Sequence, residues 1–234
     1  MKIGFCFLAY GDDYVREFLQ IAPNFPKEDI IVTSDRQIED YNTIIVNEDF
    51  NFHLRVKAIE KALETYDNVL SLDTDHYIRG LDLNSFSKFY NKGVVTKWFG
   101  DEVQYLGENI TSDALSNGLT SRKDVNEFGR MLYFLNNSEQ VKFLDESVLF
   151  ISITNKESKF KFVDIYKKLI NHTENKQPYR ETDKTYGALE GCLMYVCFKL
   201  SNLELHTESK FLNKIFHHYG PTEGHNVKLK SKLL

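Results

Sequence analysis

Apolar positions along this chain fall into short continuous runs and into longer stretches that repeat at helical spacing, and the two kinds alternate. Ile3 to Ala9 is a continuous run that predicts a buried strand ending at Tyr10-Gly11. Val15, Phe18, Leu19 and Ala22 then repeat at helical spacing, with Asp12 placed to cap the helix and Pro23 and Pro26 to end it. Ile30-Ile31-Val32-Thr33 predicts a second strand stopping at Ser34-Asp35, and Thr43-Ile44-Ile45-Val46 a short third. A helix follows from Phe52 to Tyr66, with Val56, Ile59, Leu63 and Tyr66 on one stripe that Arg55, Lys57, Glu60, Lys61 and Glu64 largely avoid. Asp67-Asn68 leads directly into another apolar run, Val69 to Leu72, and then into Asp73-Thr74-Asp75-His76-Tyr77-Ile78. This β-α order predicts an α/β fold with a mostly parallel, Rossmann-like sheet, right-handed crossovers and flanking helices.

The second half is less periodic. Arg79-Gly80-Leu81-Asp82 reads as a turn, Leu83 to Tyr90 as a helix and Val94 to Trp98 as a strand. Residues 100–140 are rich in Gly, Asn, Ser and Asp and predict a long excursion with one helix near Val125–Leu135. Ser147 to Ile153 returns to strand composition. Phe160, Val163, Tyr166, Leu169 and Ile170 mark a helix, and after a polar stretch at 172–182 Leu189, Leu193, Val196 and Leu200 mark another. Leu203 to His206 predicts a short strand, and the tail carries His217-His218-Tyr219-Gly220-Pro221 and then Lys228, Lys230 and Lys232. No internal repeat or low-complexity linker divides the 234 residues, so one domain is expected: a first half of 1–100 and a second half of 101–234.

Composition narrows the class. A hydrophobic share of 42% with 27% charged residues describes a globular chain, and a formal charge of −5 argues against nucleic acid as a partner. Cys6, Cys192 and Cys197 lack metal-ligand spacing and read as small buried residues in a reducing compartment. No apolar run approaches the roughly 20 residues of a membrane helix, so no transmembrane segment is expected. The start superficially resembles a signal peptide, but its apolar run is short and Gly11-Asp12-Asp13 follows in place of a small-residue cleavage site. The expectation is a cytoplasmic protein, in which Asn109, Asn136 and Asn171 carry no glycan.

The chemistry concentrates at Asp73-Thr74-Asp75. A buried strand that ends there delivers two carboxylates to its carboxyl end, where open α/β sheets bind ligands. Such a pair suits Mg²⁺ or Mn²⁺ carrying a diphosphate. The competing reading is a strand end with two solvated acids.

Four segments resemble a GT-A fold glycosyltransferase. They are Ala9-Tyr10-Gly11-Asp12-Asp13-Tyr14 after the first strand, Val32-Thr33-Ser34-Asp35 at the second, the run from Leu54-Arg55 through Asp73-Thr74-Asp75 to Gly80-Leu81-Asp82-Leu83, and His217-His218-Tyr219-Gly220. The last is similar to the late His-x-x-Gly segment that completes the metal site in several such families, although the Lys-Pro-Trp that often follows is lacking. The convincing match covers roughly the first 100 residues, and the second half is matched in layout only. The resemblance implies a metal-dependent transfer of a sugar from a nucleotide-diphosphate sugar, UDP-linked, to a saccharide or other glycan acceptor.

It also implies roles. Asp75 binds Mn²⁺ or Mg²⁺ directly, Asp73 binds it and meets the sugar or ribose, and His217 or His218 completes the coordination. Tyr10 stacks on the base and Asp35 accepts from base or ribose, with a boundary aromatic and a strand-end turn residue as the plain alternatives. Arg55 offsets phosphate charge from a helix N-terminus, or is a solvated surface arginine. Glu190, set between small residues on an apolar helix, acts as base or stabilises the sugar cation, or is a surface glutamate. Trp98 lines the acceptor sugar or packs, and Lys228 reaches a phosphate oxygen. Two other classes compete: a non-catalytic nucleotide-sugar-binding module of the same fold, and a HAD-type phosphatase, whose Asp-x-Asp sits on the first strand instead.

Overall fold

The computed structural model describes residues 2–48, 52–100, 142–173 and 186–218. Beyond its first residue, the predicted excursion at 100–140 with its helix near Val125–Leu135 lies outside them, as do residues 174–185 and the tail beyond 218.

The strands of the sheet are buried on both faces, and their sequences show why. In β1 (Ile3–Leu8) Ile3, Phe5 and Phe7 enter one core and Cys6 the other, so an unbroken apolar run serves a sheet covered on both sides. The same holds for β2 (Ile30–Ser34) and β4 (Asn68–Leu72), fully buried like β1. The edge strand β3 (Asn42–Ile45) is half-exposed throughout. β5 (His76–Ile78) lies outside this sheet. β6 (Gly93–Thr96), the antiparallel pair β7 (Phe99–Gly100) and β8 (Phe143–Leu144), β9 (Val148–Ser152) and β10 (Leu205–Thr207) follow.

Among the described residues these form a seven-stranded sheet in the order β10-β6-β9-β4-β1-β2-β3. β1 pairs in parallel with β2 and β4, β2 with β3, and β6 with β10. β9 alone runs antiparallel, between β4 and β6. The sheet is therefore mixed, and β9 is the one departure from a parallel arrangement. The consequence for function is directional: the carboxyl ends of β1, β2, β4 and β6 and the amino end of β9 all lie on one edge.

On one face lie α2 (Arg55–Leu63), α3 (Lys156–Thr173) and α4 (Tyr186–Leu200), whose Val56, Ile59, Phe162, Tyr166, Leu193 and Val196 share a core with Cys6, Val69 and Ile151. The predicted single stripe on α4 is wider in the fold: Leu193 to Phe198 are all buried, because the helix packs against both α3 and β8. On the other face lie α1 (Gly11–Ile21), a 3₁₀ segment (Leu83–Phe89) where an α-helix was expected, and α5 (Ser209–Ile215). Phe86 is the hub there, with Phe150 and Phe211 at 5.3 Å and Phe216 at 6.2 Å. Tilted and edge-on aromatic pairs of this kind each add about 0.5–1.5 kcal/mol beyond burial. They pin α5 and the strand after it, β11 (Phe216–His218), which pairs antiparallel with β5.

Two local expectations are corrected. Asp12 does not cap α1: the cap position is Tyr10, with no side-chain cap, and Asp12 in the first turn pairs instead with Arg36 at 2.6 Å. The helix expected from Phe52 is a 3₁₀ turn over Phe52–Leu54, and the α-helix begins at Arg55. Gly4 is dictated by packing, since a Cβ there would stand 2.7 Å from the Tyr66 ring. Cys6 and Cys197 are free and buried, as expected.

Candidate active site at the sheet edge

Asp73 and Asp75 lie just past the end of β4, and the structure shows how they are held. The Asp73 amide donates to the Ser147 carbonyl at 3.0 Å, extending the β4–β9 ladder by one bond beyond the strand. Thr74 turns the other way, and its hydroxyl donates to Glu17 of α1 at 3.0 Å. Glu17 is 1% exposed, so this bond links a buried carboxylate to the residue between the two aspartates. The Asp73 and Asp75 side chains keep 26% and 18% of their exposure and are open to a ligand.

Arg55 is the largest departure from expectation. It is 3% exposed rather than solvated. Its guanidinium donates to Asp73 Oδ1 at 2.9 Å and to the Glu146 carbonyl at 3.0 Å. As the first residue of α2 it leaves the polar face of the helix and reaches under β4, tying Asp73 to the turn before β9. That turn is itself braced, because Asp145 accepts from the amide and hydroxyl of Ser147 at 3.1 and 2.6 Å. Thr96 at the end of β6 donates to the Asp145 carbonyl at 2.5 Å, and the Asp145 amide donates to the Trp98 carbonyl.

A second set of groups reaches Asp75. His76 is fully buried, with Nδ1 at 3.3 Å from Asp75 Oδ1 and from the Asp73 carbonyl. Its Nε2 lies 3.0 Å from Nζ of Lys97, the residue after β6. Burial holds the Lys97 ammonium below its ordinary pKa, while Asp145, Asp73 and Asp75 pull it back up. Tyr14 on α1 is pushed up to about 12, first by burial and then by Asp73, Glu17 and Asp75, with Arg55 opposing. These shifts describe one connected pool of charge around the two aspartates.

The nucleotide-side candidates lie on the same edge. Asp35 follows β2, two strands from β4, a separation of roughly 10 Å at the usual strand spacing. Its carboxylate accepts from the Gly11 amide at 3.1 Å and from Arg36 at 2.8 and 3.2 Å. The Arg36 hydrogen bonds hold it below the usual carboxylate range. Gly11 has φ +73, which its lack of a Cβ permits at the sharp turn from β1 into α1. Tyr10, between them, donates its hydroxyl to the Glu48 carbonyl at 3.0 Å.

β11 brings the tail to the same place. His217 lies opposite Tyr77, and the two rings stack with centroids 4.8 Å apart. His218 lies opposite His76 in the register, and its side chain is outside the described residues. Glu190 lies on α4 with its side chain likewise outside them, as is Lys228 entirely. Tyr10, Asp35, Arg55, Asp73 and Asp75 are thus gathered on one edge, with His217 on the hairpin beside it. Reasoning from sequence missed Tyr14, Glu17, His76, Lys97 and the Asp145-Glu146-Ser147 turn. The available signals were a lysine continuing the apolar run Val94-Val95-Thr96 and a histidine directly after the Asp-x-Asp.

As a cation site, the edge offers two hard carboxylate donors. Mg²⁺ and Mn²⁺ commonly use one or two carboxylates together with water and substrate phosphate, so the donor chemistry fits. Among the described residues no group of three His, Cys, Asp or Glu side chains is arranged to hold a metal. Among them, also, no helix is long and apolar enough to cross a membrane.

No protein-family description matches the chain, and no curated protein does. Solved structures similar to it include the galactosyltransferase LgtC in complex with donor and acceptor sugar analogues, at 13% identity and a TM-score of 0.40 over 81% of this chain and 72% of that one. An active-site mutant of LgtC is similar at 12% identity and a TM-score of 0.42, over 96% and 82%. A mannose-1-phosphate geranyltransferase from Thermus thermophilus is similar at 14% identity and a TM-score of 0.38, over 82% and 72%. The likeness is one of α/β layout. At these TM-scores it carries no argument about chemistry, which stands on the side chains at the sheet edge.

Proposed function

We propose that this chain is a metal-dependent glycosyltransferase of the GT-A type. It would move a sugar from a nucleotide-diphosphate sugar, UDP-linked, to a saccharide or other glycan acceptor. The observation that carries the reading is the pair Asp73 and Asp75 beyond the carboxyl end of β4, with a buried arginine on Asp73 and with Tyr10 and Asp35 on the same edge.

The edge suits the parts of such a donor. Tyr10 and Asp35 would take the base and ribose, on the same edge as the aspartates and two strands away from them. Asp73 and Asp75 would hold Mn²⁺ or Mg²⁺, which when bound offsets the charge of the leaving diphosphate as a Lewis acid. Arg55 holds Asp73 in place through a charge-assisted hydrogen bond from a buried guanidinium. His218, which the register sets opposite His76 beside the aspartates, is the tail histidine we assign to the cation in preference to His217, whose ring is stacked on Tyr77. Glu190 would face the acceptor as base or cation stabiliser, and Lys228 a phosphate. The HAD-type alternative loses support, because the motif follows the fourth strand of the chain and not the first.

The test is calorimetry of UDP-sugars with and without Mn²⁺ on the wild type and on Asp75→Asn. The wild type should bind only with metal, and the variant should lose that binding while keeping its fold. Equal metal-dependent binding by the variant overturns the site. Metal-dependent binding with neither transfer nor donor hydrolysis would make the chain a binding module instead of an enzyme.

A further inference from the structure

We infer that the outward face of the β5–β11 ladder, carrying Tyr77, Arg79 and His217, binds an acidic group, a carboxylate or phosphate ester, on one of the sugars this chain handles. The inference rests on the glycosyltransferase reading above, and it gives a role to the tail histidine which that reading leaves off the cation. It starts from strand alternation. β5 runs on directly from Asp75, and successive side chains on a strand point to opposite faces. His76 is fully buried and Ile78 packs against the core, so Tyr77 stands on the other face, half-buried. The Arg79 amide donates to the Ile215 carbonyl at 2.9 Å, which carries the ladder past Ile78 and sets Arg79 on the same face as Tyr77. His217 is the cross-strand partner of Tyr77. The three side chains therefore form one row that starts two residues beyond Asp75.

The row presents a cation that no carboxylate among the described residues neutralises. The described arginines are Arg16, Arg36, Arg55 and Arg79. The first three each hold a carboxylate: Asp13, Asp12 with Asp35, and Asp73. Arg79 is exposed and has no such partner. Asp82, the nearest carboxylate after it in the chain, caps the 3₁₀ segment instead, accepting from the Asn84 amide at 3.0 Å. The guanidinium is nonetheless held. It lies over the Tyr77 ring, 4.9 Å from the centroid, and that ring stacks on His217 at 4.8 Å with the planes 9° apart. A ring under a guanidinium engages its flat face and leaves the N–H fork at its edge for a ligand.

The chemistry of the fork names the ligand. A planar set of N–H donors matches a carboxylate or phosphate through two parallel hydrogen bonds. Among the described residues no hydrogen bond engages the His217 ring, so the row adds an imidazole beside the guanidinium. The diphosphate of the donor already has its counter-charge in the cation assigned to Asp73 and Asp75. Arg79 lies four residues beyond Asp75, about 13 Å at the rise of a strand. The anion left for it is carried on a sugar ring, as a uronic-acid carboxylate or a phosphate ester. Either the transferred sugar or the acceptor can bear that group, and the two sources are separated by experiment.

The experiment is calorimetry on the full chain with Mn²⁺, in two arms. The donor arm compares UDP-glucuronic acid with UDP-glucose. The acceptor arm, with UDP present, compares methyl glucuronide and glucose 6-phosphate with methyl glucoside. In one arm an acidic ligand should bind at least about tenfold tighter than its neutral counterpart, as a charge-assisted pair of hydrogen bonds provides, and that arm names the source. Arg79→Gln, an exposed change that leaves the ladder bonds in place, should bring the acidic and neutral ligands of that arm to within threefold of each other. UDP alone should bind the variant within threefold of wild type. No preference for acid in either arm, or a preference that survives in Arg79→Gln, overturns the inference and leaves the glycosyltransferase reading standing. A tenfold loss of UDP affinity in Arg79→Gln moves the guanidinium to the donor diphosphate and also overturns it. A wild type that binds neither UDP nor a UDP-sugar with Mn²⁺ overturns the glycosyltransferase reading, and this inference with it.

Discussion

His53 should make the stability of this protein fall steeply on mild acidification. It lies in the turn before α2, is 9% exposed, and its Nδ1 is 2.6 Å from the Tyr166 hydroxyl of α3. Burial, with a smaller contribution from Arg55, lowers its pKa from 6.5 to about 3. In the unfolded chain the imidazole takes up a proton near pH 6.5, whereas in the fold it stays neutral down to about pH 3. Between those values the unfolded state binds one more proton, so stability is fully present above pH 6.5 and is lost as pH falls. Each pH unit in that window costs about 1.4 kcal/mol from this one group. Lowering the pH from 6.5 to 4.5 should therefore remove roughly 2–3 kcal/mol, a large part of the 5–15 kcal/mol typical of a folded domain. Carboxylates titrate near the lower limit as well, so the measurement is a difference. Urea unfolding of the wild type and of His53→Gln, which keeps a hydrogen bond to Tyr166 but cannot titrate, should be followed from pH 7.5 to 4.5. The wild-type free energy should fall more steeply than that of the variant by about the stated amount. Parallel pH profiles in the two proteins would refute the reasoning and place His53 in water in the folded state.

Further outcomes follow from the same contacts. Thr74→Val removes the donor to the buried Glu17 carboxylate and should cost about 1–3 kcal/mol in chemical denaturation; a loss below about 0.5 kcal/mol would show that Glu17 finds another donor. Glu190→Gln should lower turnover strongly with little change in donor affinity, since its proposed role belongs to the transition state; equal turnover removes it from the site. Truncation after His218 keeps Phe216 in its core and β11 on β5, so the chain should stay folded, while metal-dependent donor binding weakens at least tenfold, about 1.4 kcal/mol. Undiminished binding by the truncated chain excludes Lys228 from the phosphate.

Much of this arrangement follows from the linear pattern alone. Unbroken apolar runs at Ile3–Ala9, Ile30–Thr33 and Val69–Leu72 require a sheet covered on both faces, and helical spacing between them requires crossovers, so an α/β fold with a largely parallel sheet was determined locally. Parallel strands separated by helices carry their carboxyl ends to one edge. That is why Asp35 and Asp73-Thr74-Asp75 were readable as neighbours from their positions after strands.

What the chain order could not decide is which distant residues meet them there. β9 enters the sheet backwards between β4 and β6, and neither its direction nor its place is written in its own five residues, because an apolar run is the same read either way. That reversal brings the Asp145-Glu146-Ser147 turn to the aspartates, and β6, which runs in the same direction as β4, carries Lys97 to the same edge. Arg55 was misjudged for a related reason: helical periodicity shows which face a residue occupies, but a long side chain at a helix start can leave its face and pair with a charge on the next strand. The burial of Arg55, His76 and Lys97 is affordable only because tertiary contacts supply each with a partner, and those partners lie 18 residues away for Arg55 with Asp73 and 21 for His76 with Lys97. Sequence determined where the carboxylates end up, and tertiary structure decided what holds them.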